Sequence, residues 1–427
     1  RTEISAHATE FASGAASSGT VGAQAARGRT ASAATARVRR GERVLIVVQA
    51  TVERMSEAES SEPDGLGAAA AGARAAGESG GGDDPLRTVD TLGSVGELDA
   101  LSRIIPRLPP SEATVLGPGD DAAVLAAPDG RYVVTTDMMI HGPDFRLAWS
   151  SMHDLGFKAA ATNLSDIAAM GARPTALVVA LAAPAETPVS DLEALADGLR
   201  EACAELAPGC GVVGGDLSVS PTLTIAVTAF GDLEGREPVR RDGASVGDVV
   251  AVSGPLGEAA EGLALLFEHA VDDDGVPDAR AAARLRSEHP VAVAAQLTPH
   301  PPIADGVAAA LAGATSMLDL SDGLALDARR IARASGVSLD LDAAAVCMAA
   351  GVDASRLPHV IVGGEDHSLL ATFPPATGPG QSLPGGFRVI GRVVEAGADG
   401  PALLVGGRVF AARGGWDSFD EWSGGAG

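Results

Sequence analysis

The segment that decides the fold reads FKAAATNLSDIAAMGARP, at residues 157–174. Its small apolar residues recur at helical spacing, and Gly171 and Pro174 form a strong helix stop. We therefore predict a long helix over residues 150–170, followed by a strand over 176–181.

The polar residues of this helix are unusual. Lys158, Thr162 and Asp166 follow an i, i+4, i+8 pattern and share one face, with Asn163 three residues before Asp166. Lys158 is the only lysine of the chain and Asn163 the only asparagine. A genome poor in AT-rich codons explains their rarity but not their proximity. We interpret the pair as part of a ligand site; the alternative is a helix salt-bridge ladder, worth about 0.3–0.5 kcal/mol.

Outward from this segment, strand and helix patterns alternate. The first unit has predicted helices at 94–105, 150–170 and 189–205, and strands at 122–126, 132–136, 176–181, 211–214 and 223–230. The polar string RRDGASVGD at 240–248 precedes a second unit. That unit has strands at 249–253 and 316–320, helices at 258–269, 291–297, 303–311 and 324–334, and further strands to about residue 409. The alternation indicates an α/β (α+β) architecture in two domains, 89–245 and 246–421.

The ends of the chain have a different composition. Residues 1–88 are rich in Ala, Gly, Ser, Arg and Glu, with little apolar periodicity, so we predict a disordered low-complexity extension. One hypothesis places the translation start at Met55. Residues 422–427 are expected to form a flexible tail.

Charge and composition exclude several classes of protein. The 427 residues include 46% hydrophobic residues, enough for a large core, and carry a formal net charge of -25, which argues against a surface that follows a nucleic-acid backbone. Three cysteines in no metal-binding pattern indicate a reducing compartment. No apolar run reaches the roughly 20 residues of a membrane span. We expect a cytoplasmic protein.

Acidic residues accumulate in loops and at predicted strand ends. Asp120 and Asp121 follow a Gly-Pro-Gly turn, and Thr135, Thr136 and Asp137 end a predicted strand. Further sets share the pattern: Gly214-Gly215-Asp216, Asp319-Leu320-Ser321-Asp322-Gly323 and Gly363-Gly364-Glu365-Asp366. Each alone could be an ordinary turn or cap. Together they predict a carboxylate pocket that needs divalent cations, and several Mg²⁺ ions imply a polyphosphate ligand.

The nucleotide site cannot be of the P-loop type, because the chain has no GxxxxGK[ST] motif. Metal ions, backbone amides and arginine must then hold the phosphates, and Arg241 near the domain junction is the candidate; the alternative is an ordinary surface arginine at a turn.

Read in order, LGPGDDAAVL, TTDMMIHGPDF, FKAAATNLSDIAAMGARP, GGDLS, RRDGASVGD, SGPLGEAAEGL, LDLSDGL, GGEDHSLL and GGWDSF resemble the thiamine-monophosphate kinase family over about residues 93–419. The family belongs to a superfamily with aminoimidazole ribonucleotide synthetase. The resemblance implies a two-domain aminoimidazole ribonucleotide synthetase-like fold and a homodimer formed through the N-terminal sheet. From the charge and the short apolar runs we expect no nucleic-acid or membrane partner. The resemblance also makes 89–245 the ATP- and Mg²⁺-binding domain and 246–421 the C-terminal α/β domain.

The resemblance also implies a reaction, the transfer of the γ-phosphoryl group of ATP to the phosphate of thiamine monophosphate. The expected Mg²⁺ ligands are Asp120, Asp121, Thr135, Thr136, Asp137, Asp166, Asp216, Asp319 and Asp322. The expected ATP contacts are Lys158, Gly215, Asp216, Arg241 and Ser321. The expected substrate contacts are Asp144, Glu365 and Trp416.

This reaction agrees with the residue chemistry, since an anionic phosphate nucleophile needs no general base and we assign none. His367 departs from the tyrosine that is frequent after GGED in the family. The alternatives are another ATP-dependent enzyme of the superfamily and a non-catalytic nucleotide-binding relative.

Overall fold

A computed structural model of the chain describes the backbone of residues 44–49 and the residues 89–118, 122–375, 382–412 and 414. All of them fall in one of two compact units, Arg43–Gly427, and the other unit, Arg1–Glu42, lies outside the described residues. Asp120, Asp121 and Trp416 therefore lie outside them, as does the predicted tail. Within the described residues, no helix is both long and apolar enough to cross a membrane.

The N-terminal half alternates strands and helices. Its elements are β1 (Val44–Gln49), α1 (Leu92–Val95), α2 (Glu97–Ile104), β2 (Thr114–Leu116), β3 (Ala122–Ala127), β4 (Val133–Ile140), α3 (Met152–Ala169), β5 (Arg173–Ala183), α4 (Val189–Leu206), β6 (Gly211–Val219) and β7 (Thr224–Asp232). One sheet has the order β1-β3-β2 and another the order β4-β7-β5-β6, in which only β5 and β6 run parallel.

The C-terminal half is also α/β. Its elements are β8 (Val249–Ser253), α5 (Glu258–His269), α6 (Ala279–Glu288), α7 (Pro290–Leu297), α8 (Ile303–Leu311), β9 (Ser316–Leu320), α9 (Leu324–Ser335), β10 (Ser338–Leu341), α10 (Ala343–Ala350), α11 (Leu357–Val362), β11 (Ser368–Phe373), β12 (Arg388–Val394), β13 (Leu403–Val405) and β14 (Arg408–Val409). They build a seven-stranded sheet of order β14-β13-β10-β12-β8-β11-β9. The predicted α/β fold is confirmed.

Helix α3 joins the two halves. It packs on β4, β5 and β7 of the four-stranded sheet and also on β9, β11 and α8. Among its residues only His153 and Asp166 are not buried. A capping box between Ser151 and Asp154 starts the helix, and Gly171, with φ of 72°, follows its end. The polar residues of α3 are therefore held where the two described halves meet.

Close helix packing depends on glycine at two positions. A Cβ atom at Gly156 of α3 would lie 2.0 Å from the Leu195 carbonyl oxygen of α4, and a Cβ atom at Gly198 would lie 2.0 Å from the His153 carbonyl oxygen. Helices α3 and α4 therefore approach each other at backbone distance.

Several predicted boundaries are wrong. Residues 44–49, placed in the disordered extension, form β1 and pair with β3, because VLIVVQ is a run of strand-forming residues. The predicted helix 94–105 is broken at Gly96, whose φ is 79°. Asp137 and Asp216 lie within β4 and β6 and not at strand ends, since both strands continue along neighbouring strands. Helix α6 was not predicted.

One apolar core crosses the expected domain boundary. Residues 245 and 246 lie in the loop before β8. The largest cluster of buried apolar side chains contains Leu164 and Ile167 of α3 together with Met317 and Leu369 of the C-terminal sheet. The two halves therefore share a packed interface along α3.

Candidate functional site

Four carboxylates, Asp137, Asp166, Asp319 and Asp322, interact electrostatically where α3 meets the two sheets; we call them the acidic cluster. Asp137 comes from β4 and Asp166 from α3. Asp319 belongs to β9, and Asp322 to the turn that follows that strand. The predicted convergence of distant aspartates is therefore found for these four residues.

Side chains of β4 and α3 fix the N-terminal part of the acidic cluster. The Thr135 hydroxyl donates a hydrogen bond of 2.8 Å to Asp166 Oδ2. The Asp137 backbone N–H donates one of 3.1 Å to Asn163 Oδ1, and the Asn163 amide donates to the Ala159 carbonyl. The only asparagine of the chain thus ties α3 to the strand that carries Asp137.

Crowding of negative charge changes the acidity of these groups. Burial and the charges of Asp319 and Asp137 raise the pKa of Asp166 to about 7, although the hydrogen bond from Thr135 opposes the shift. Burial and the charges of Asp319 and Asp322 also raise the pKa of Asp137. A cation placed among these groups would relieve the repulsion.

Asp319 is buried at the end of β9. It accepts a hydrogen bond of 3.1 Å from Ser165 Oγ and lies 3.4 Å from His367 Nδ1. Burial alone lowers the pKa of His367, but the hydrogen bond to Asp319 and the charges of Asp319 and Glu365 outweigh it and raise the pKa. His367 therefore stands between the acidic cluster and the carboxylate of Glu365.

Asp322 has two partners that the sequence analysis missed. Arg330 of α9 forms ion pairs with both Asp322 and Asp327, and the Asp322 backbone N–H donates a hydrogen bond of 3.1 Å to Asp327. Burial and the charges of Asp319 and Asp322 raise the pKa of Asp327 to about 7 against the effect of Arg330. The sequence contained one signal for this arrangement: Asp327 is an acidic residue in the first turn of the helix that follows Ser321-Asp322-Gly323.

A second group of polar residues lines an open cleft beside the acidic cluster. We call it the Lys158 cleft; its lining includes Asp144, Arg146, Trp149, Lys158, Gln296 and Glu365. Lys158 Nζ donates hydrogen bonds to Glu365 Oε2 at 2.8 Å and to the Gln296 carbonyl oxygen at 3.0 Å. The only lysine of the chain therefore holds a carboxylate rather than standing free.

Two acids of the Lys158 cleft differ in acidity. Burial raises the pKa of Glu365, but the charge of Lys158 and hydrogen bonds from Lys158 and Gln296 outweigh it, so the pKa lies below its ordinary value. Burial raises the pKa of Asp144 despite a hydrogen bond of 2.7 Å from the Ile140 backbone N–H. The cleft thus pairs a firmly ionised acid with one that protonates more easily.

Asp366, beside Glu365, was not assigned from the sequence. It is buried and accepts hydrogen bonds from the Gly257 and Ala259 backbone N–H groups, at the start of α5. Burial raises its pKa to about 6, although both hydrogen bonds oppose the shift. The second acid of GGED therefore anchors a helix, whereas the first lines the cleft.

The remaining predicted residues lie in different surroundings. Asp216 is exposed, accepts a hydrogen bond of 3.1 Å from Ser218 and lines an apolar groove with Pro118. A Cβ atom at Gly215 would lie 1.9 Å from the Val179 carbonyl oxygen, so strand packing requires glycine there. Arg241 is exposed. No contact described for Asp216 or Arg241 involves the acidic cluster.

Thr136 and Ser321 are the two predicted site residues that remain. Thr136 points to the other side of the sheet from Thr135, where its hydroxyl donates to the Val227 carbonyl. Ser321 lies beside the acidic cluster, and its carbonyl accepts a hydrogen bond of 2.8 Å from the Glu365 backbone N–H.

Over residues 89–118, 122–375 and 382–412, no three His, Cys, Asp or Glu side chains already form a metal-binding arrangement. The donors present are nevertheless hard carboxylate and hydroxyl oxygens, which suit Mg²⁺. The pKa of Asp166, raised by burial and by its anionic neighbours, also fits a place for a cation.

Comparison with known proteins identifies the family. A family model described as AIR synthase related protein, N-terminal domain, matches residues 119–233. The thiamine-monophosphate kinase of Mycobacterium tuberculosis is 45% identical over 340 residues, which cover 78% of this chain and 94% of that relative. This chain belongs to the thiamine-monophosphate kinase family. The family predicted from the sequence is therefore confirmed.

Solved structures of thiamine-monophosphate kinases have the same fold. The crystal structure of the enzyme from Stenotrophomonas maltophilia K279a matches with a TM-score of 0.61 at 31% identity, covering 73% of this chain and 96% of that chain. The structure of AaThiL complexed with AMPPCP and TMP matches with a TM-score of 0.54 at 29% identity, covering 67% of this chain and 86% of that chain. The predicted two-domain architecture of the aminoimidazole ribonucleotide synthetase superfamily is confirmed.

Proposed function

We propose that this protein transfers the γ-phosphoryl group of ATP to thiamine monophosphate, giving thiamine diphosphate and ADP. The observation that carries the proposal is the acidic cluster beside the Lys158 cleft, in a chain 45% identical to a thiamine-monophosphate kinase. The AaThiL complex with AMPPCP and TMP supports ATP and thiamine monophosphate as the two substrates.

Mg²⁺ is the cation that we assign to the acidic cluster. The residues that would hold it are Asp137, Asp166, Asp319 and Asp322 with the Thr135 hydroxyl; the family resemblance adds Asp120, Asp121, Thr136 and Asp216. When bound, Mg²⁺ supplies charge neutralisation for the phosphates. The raised pKa of Asp166 supports this assignment, because it reflects burial together with the negative charges of Asp319 and Asp137, which a cation would compensate.

The two substrates are assigned to neighbouring regions. We assign thiamine monophosphate to the Lys158 cleft, with Asp144 and Glu365 as contacts and Trp416 as a further contact from the resemblance. For ATP we retain Lys158, Gly215, Asp216, Arg241 and Ser321 as candidates. The contacts of Lys158 with Glu365 and Gln296 favour a role on the thiamine side.

In this arrangement, catalysis depends on how the two substrates are positioned and on neutralisation of the phosphate charge. The acceptor is a phosphate oxygen, which is already anionic, so no side chain has to remove a proton. Helix α3 holds Asp166 and Lys158 on one rigid element, and the Thr135 and Asn163 hydrogen bonds fix the relation of α3 to β4. Such preorganisation favours the in-line approach of acceptor and γ-phosphate.

We further propose a homodimer formed through the four-stranded sheet. Val134 and Met138 of β4 are 54% and 58% exposed and lie on the face opposite Thr135. Exposed apolar residues on one sheet face support an interface there. We also propose a cytoplasmic location, an ATP- and Mg²⁺-binding domain at 89–245 and a C-terminal domain at 246–421.

The direct test is incubation of the purified protein with ATP, MgCl₂ and thiamine monophosphate. We expect thiamine diphosphate and ADP in equal amounts, identified by chromatography, and no product when EDTA replaces MgCl₂. Formation of product from formylglycinamidine ribonucleotide instead would favour another activity of the superfamily. Nucleotide binding without turnover of either acceptor would favour a non-catalytic relative.

A further inference from the structure

Gln296 of α7 has a hydrogen-bonding group that the protein leaves unused. The residue is only 5% exposed and lines the Lys158 cleft. Its Nε2 donates to Glu365 Oε2, which fixes the orientation of the amide, because a flipped amide would place two acceptor oxygens together. Among the described residues, Gln296 Oε1 is one of two buried side-chain polar atoms without a hydrogen-bond partner.

An unpaired buried acceptor is costly, and most such atoms in proteins have a partner. None of the described residues donates a hydrogen bond to Gln296 Oε1. Lys158 Nζ already donates to the Gln296 backbone carbonyl and to Glu365, and these contacts fix the lysine. Glu365 has φ of 66°, a left-handed conformation that is rare for this residue type, and its backbone N–H is bound to Ser321. The position of the acceptor is therefore preset by its surroundings.

The chemistry of the ligand follows from the missing partner. Oε1 of an amide can only accept, so the ligand must bring a donor into the cleft. At neutral pH, thiamine monophosphate has one N–H donor group, the exocyclic amino group of its pyrimidine ring. The donors described for Glu365 all reach Oε2, so that carboxylate also retains capacity to accept.

We propose that Gln296 is a specificity-determining residue, whose Oε1 accepts a hydrogen bond from the amino group of the substrate pyrimidine. This inference rests on the proposed function. Lys158 acts as a positioning residue, because it holds the Gln296 backbone and the Glu365 carboxylate in one place. The site then selects an amino-substituted ring, since a ring without the amino group leaves Oε1 unpaired.

The test compares binding of thiamine monophosphate with that of an analogue in which hydrogen replaces the pyrimidine amino group. Calorimetric titrations are made with the full chain, MgCl₂ and AMPPCP. We expect the wild-type protein to bind the analogue at least about tenfold more weakly, in line with the loss of a buried hydrogen bond. In Gln296→Met, which keeps the side-chain length but has no acceptor oxygen, we expect the ratio of the two Kd values to fall to about threefold or less.

Controls separate specificity from structure. Val291→Ala changes an exposed residue of the same helix and should keep the wild-type ratio. Circular dichroism melting checks folding; if Gln296→Met unfolds, Gln296→Asn, which withdraws the amide by one methylene, takes its place. Equal weakening of both ligands in the variant would indicate a structural role only and overturn the proposal.

Other outcomes are equally decisive. Wild-type protein that forms thiamine diphosphate but binds both ligands equally would overturn the role of Gln296 and leave the proposed function intact. Wild-type protein that neither binds nor converts thiamine monophosphate would overturn both. A Gln296→Met variant that loses discrimination between ATP and inosine triphosphate would show that the cleft holds the adenine, and this also would overturn the proposal.

Discussion

At the scale of single residues, the carboxylates determine the behaviour of the site. Burial and the charges of Asp319 and Asp137 together raise the pKa of Asp166 to about 7. Repulsion between these carboxylates lowers the free energy of unfolding when all three are ionised. A bound cation would neutralise this repulsion. Loss of one carboxylate should therefore change activity and stability in opposite directions.

We predict that Asp166→Asn lowers kcat at least about 100-fold, because the loss of one ligand removes several kcal/mol of charge stabilisation. The measurement is the initial rate of thiamine diphosphate formation at saturating Mg²⁺ and ATP. Asp273→Asn, in an exposed loop, is the matched control and should keep the wild-type rate. A fully active Asp166→Asn would remove Asp166 from the metal site.

The same residue predicts a pH dependence of stability in EDTA. An unfolded aspartate ionises near its ordinary pKa of 3.8, and folded Asp166 near 7. Between these values the folded state binds more protons, so the free energy of unfolding falls as the pH rises through this window. Melting temperatures should be lower at pH 8 than at pH 5, and Asp166→Asn should reduce the difference by several degrees. Identical slopes for both proteins would contradict the raised pKa.

For Lys158 we predict an effect on both stability and substrate binding. The Lys158 side chain is 7% exposed and that of Glu365 is 31% exposed. Lys158→Met should lower the free energy of unfolding by about 2 kcal/mol, less than for a fully buried pair, because water reaches Glu365. It should also raise the KM for thiamine monophosphate more than the KM for ATP. The double variant Lys158→Met/Glu365→Gln should recover most of the stability, and its failure to do so would mean that the pair is not coupled.

At the scale of elements, α3 shows what sequence could and could not predict. The helix, its stop and the shared face of Lys158 and Asp166 follow from local spacing. The site partners of α3 lie far away in sequence: Lys158 meets Glu365 over 207 positions. Local patterns contain no information on such pairings, so Gln296 and Arg330 were not predicted. The predicted ends of β4 and β6 were also wrong. Pairing with neighbouring strands extends both strands past the polar residues Asp137 and Asp216.

The packing of α3 on α4 gives a prediction for this element. Gly156→Ala should lower the free energy of unfolding by about 3 kcal/mol and the melting temperature by roughly 6 °C, since the new methyl group meets the Leu195 carbonyl at 2.0 Å. Gly397→Ala is the control, because no atom lies within 4 Å of the position that its methyl group would take. An unchanged melting temperature for Gly156→Ala would mean that the helices can separate without cost.

At the scale of the whole molecule, order and composition predicted more than periodicity. The acidic segments in their order along the chain indicated the family, and the family resemblance predicted the two-domain fold. The net charge of -25 by itself only argued against nucleic acid as a partner. The strand β1 was missed because its surroundings are low in complexity, although four of its six residues are Val or Ile, which favour strands. The homodimer was inferred from the family resemblance, because sequence patterns do not show which apolar residues of a strand end up exposed on one sheet face, as Val134 and Met138 do.

The proposed dimer can be tested through β4. We predict that Met138→Arg shifts the protein from dimer to monomer in light scattering coupled to size-exclusion chromatography, because an arginine at a 58% exposed apolar position of the interface would be buried without a partner. Met348→Arg, at an 82% exposed position of α10, is the control and should keep the wild-type mass. A wild-type monomer would contradict the proposed interface.

The single lysine has a practical consequence. Apart from the α-amino group of the chain, amine-directed reagents have one target, and it is enclosed between a helix carbonyl and Glu365. Acylation of that amine, followed by peptide mass spectrometry, should proceed slowly and report how often the cleft opens. Occupancy by a ligand should slow the labelling further, so the protein has a built-in chemical probe that needs no engineered tag.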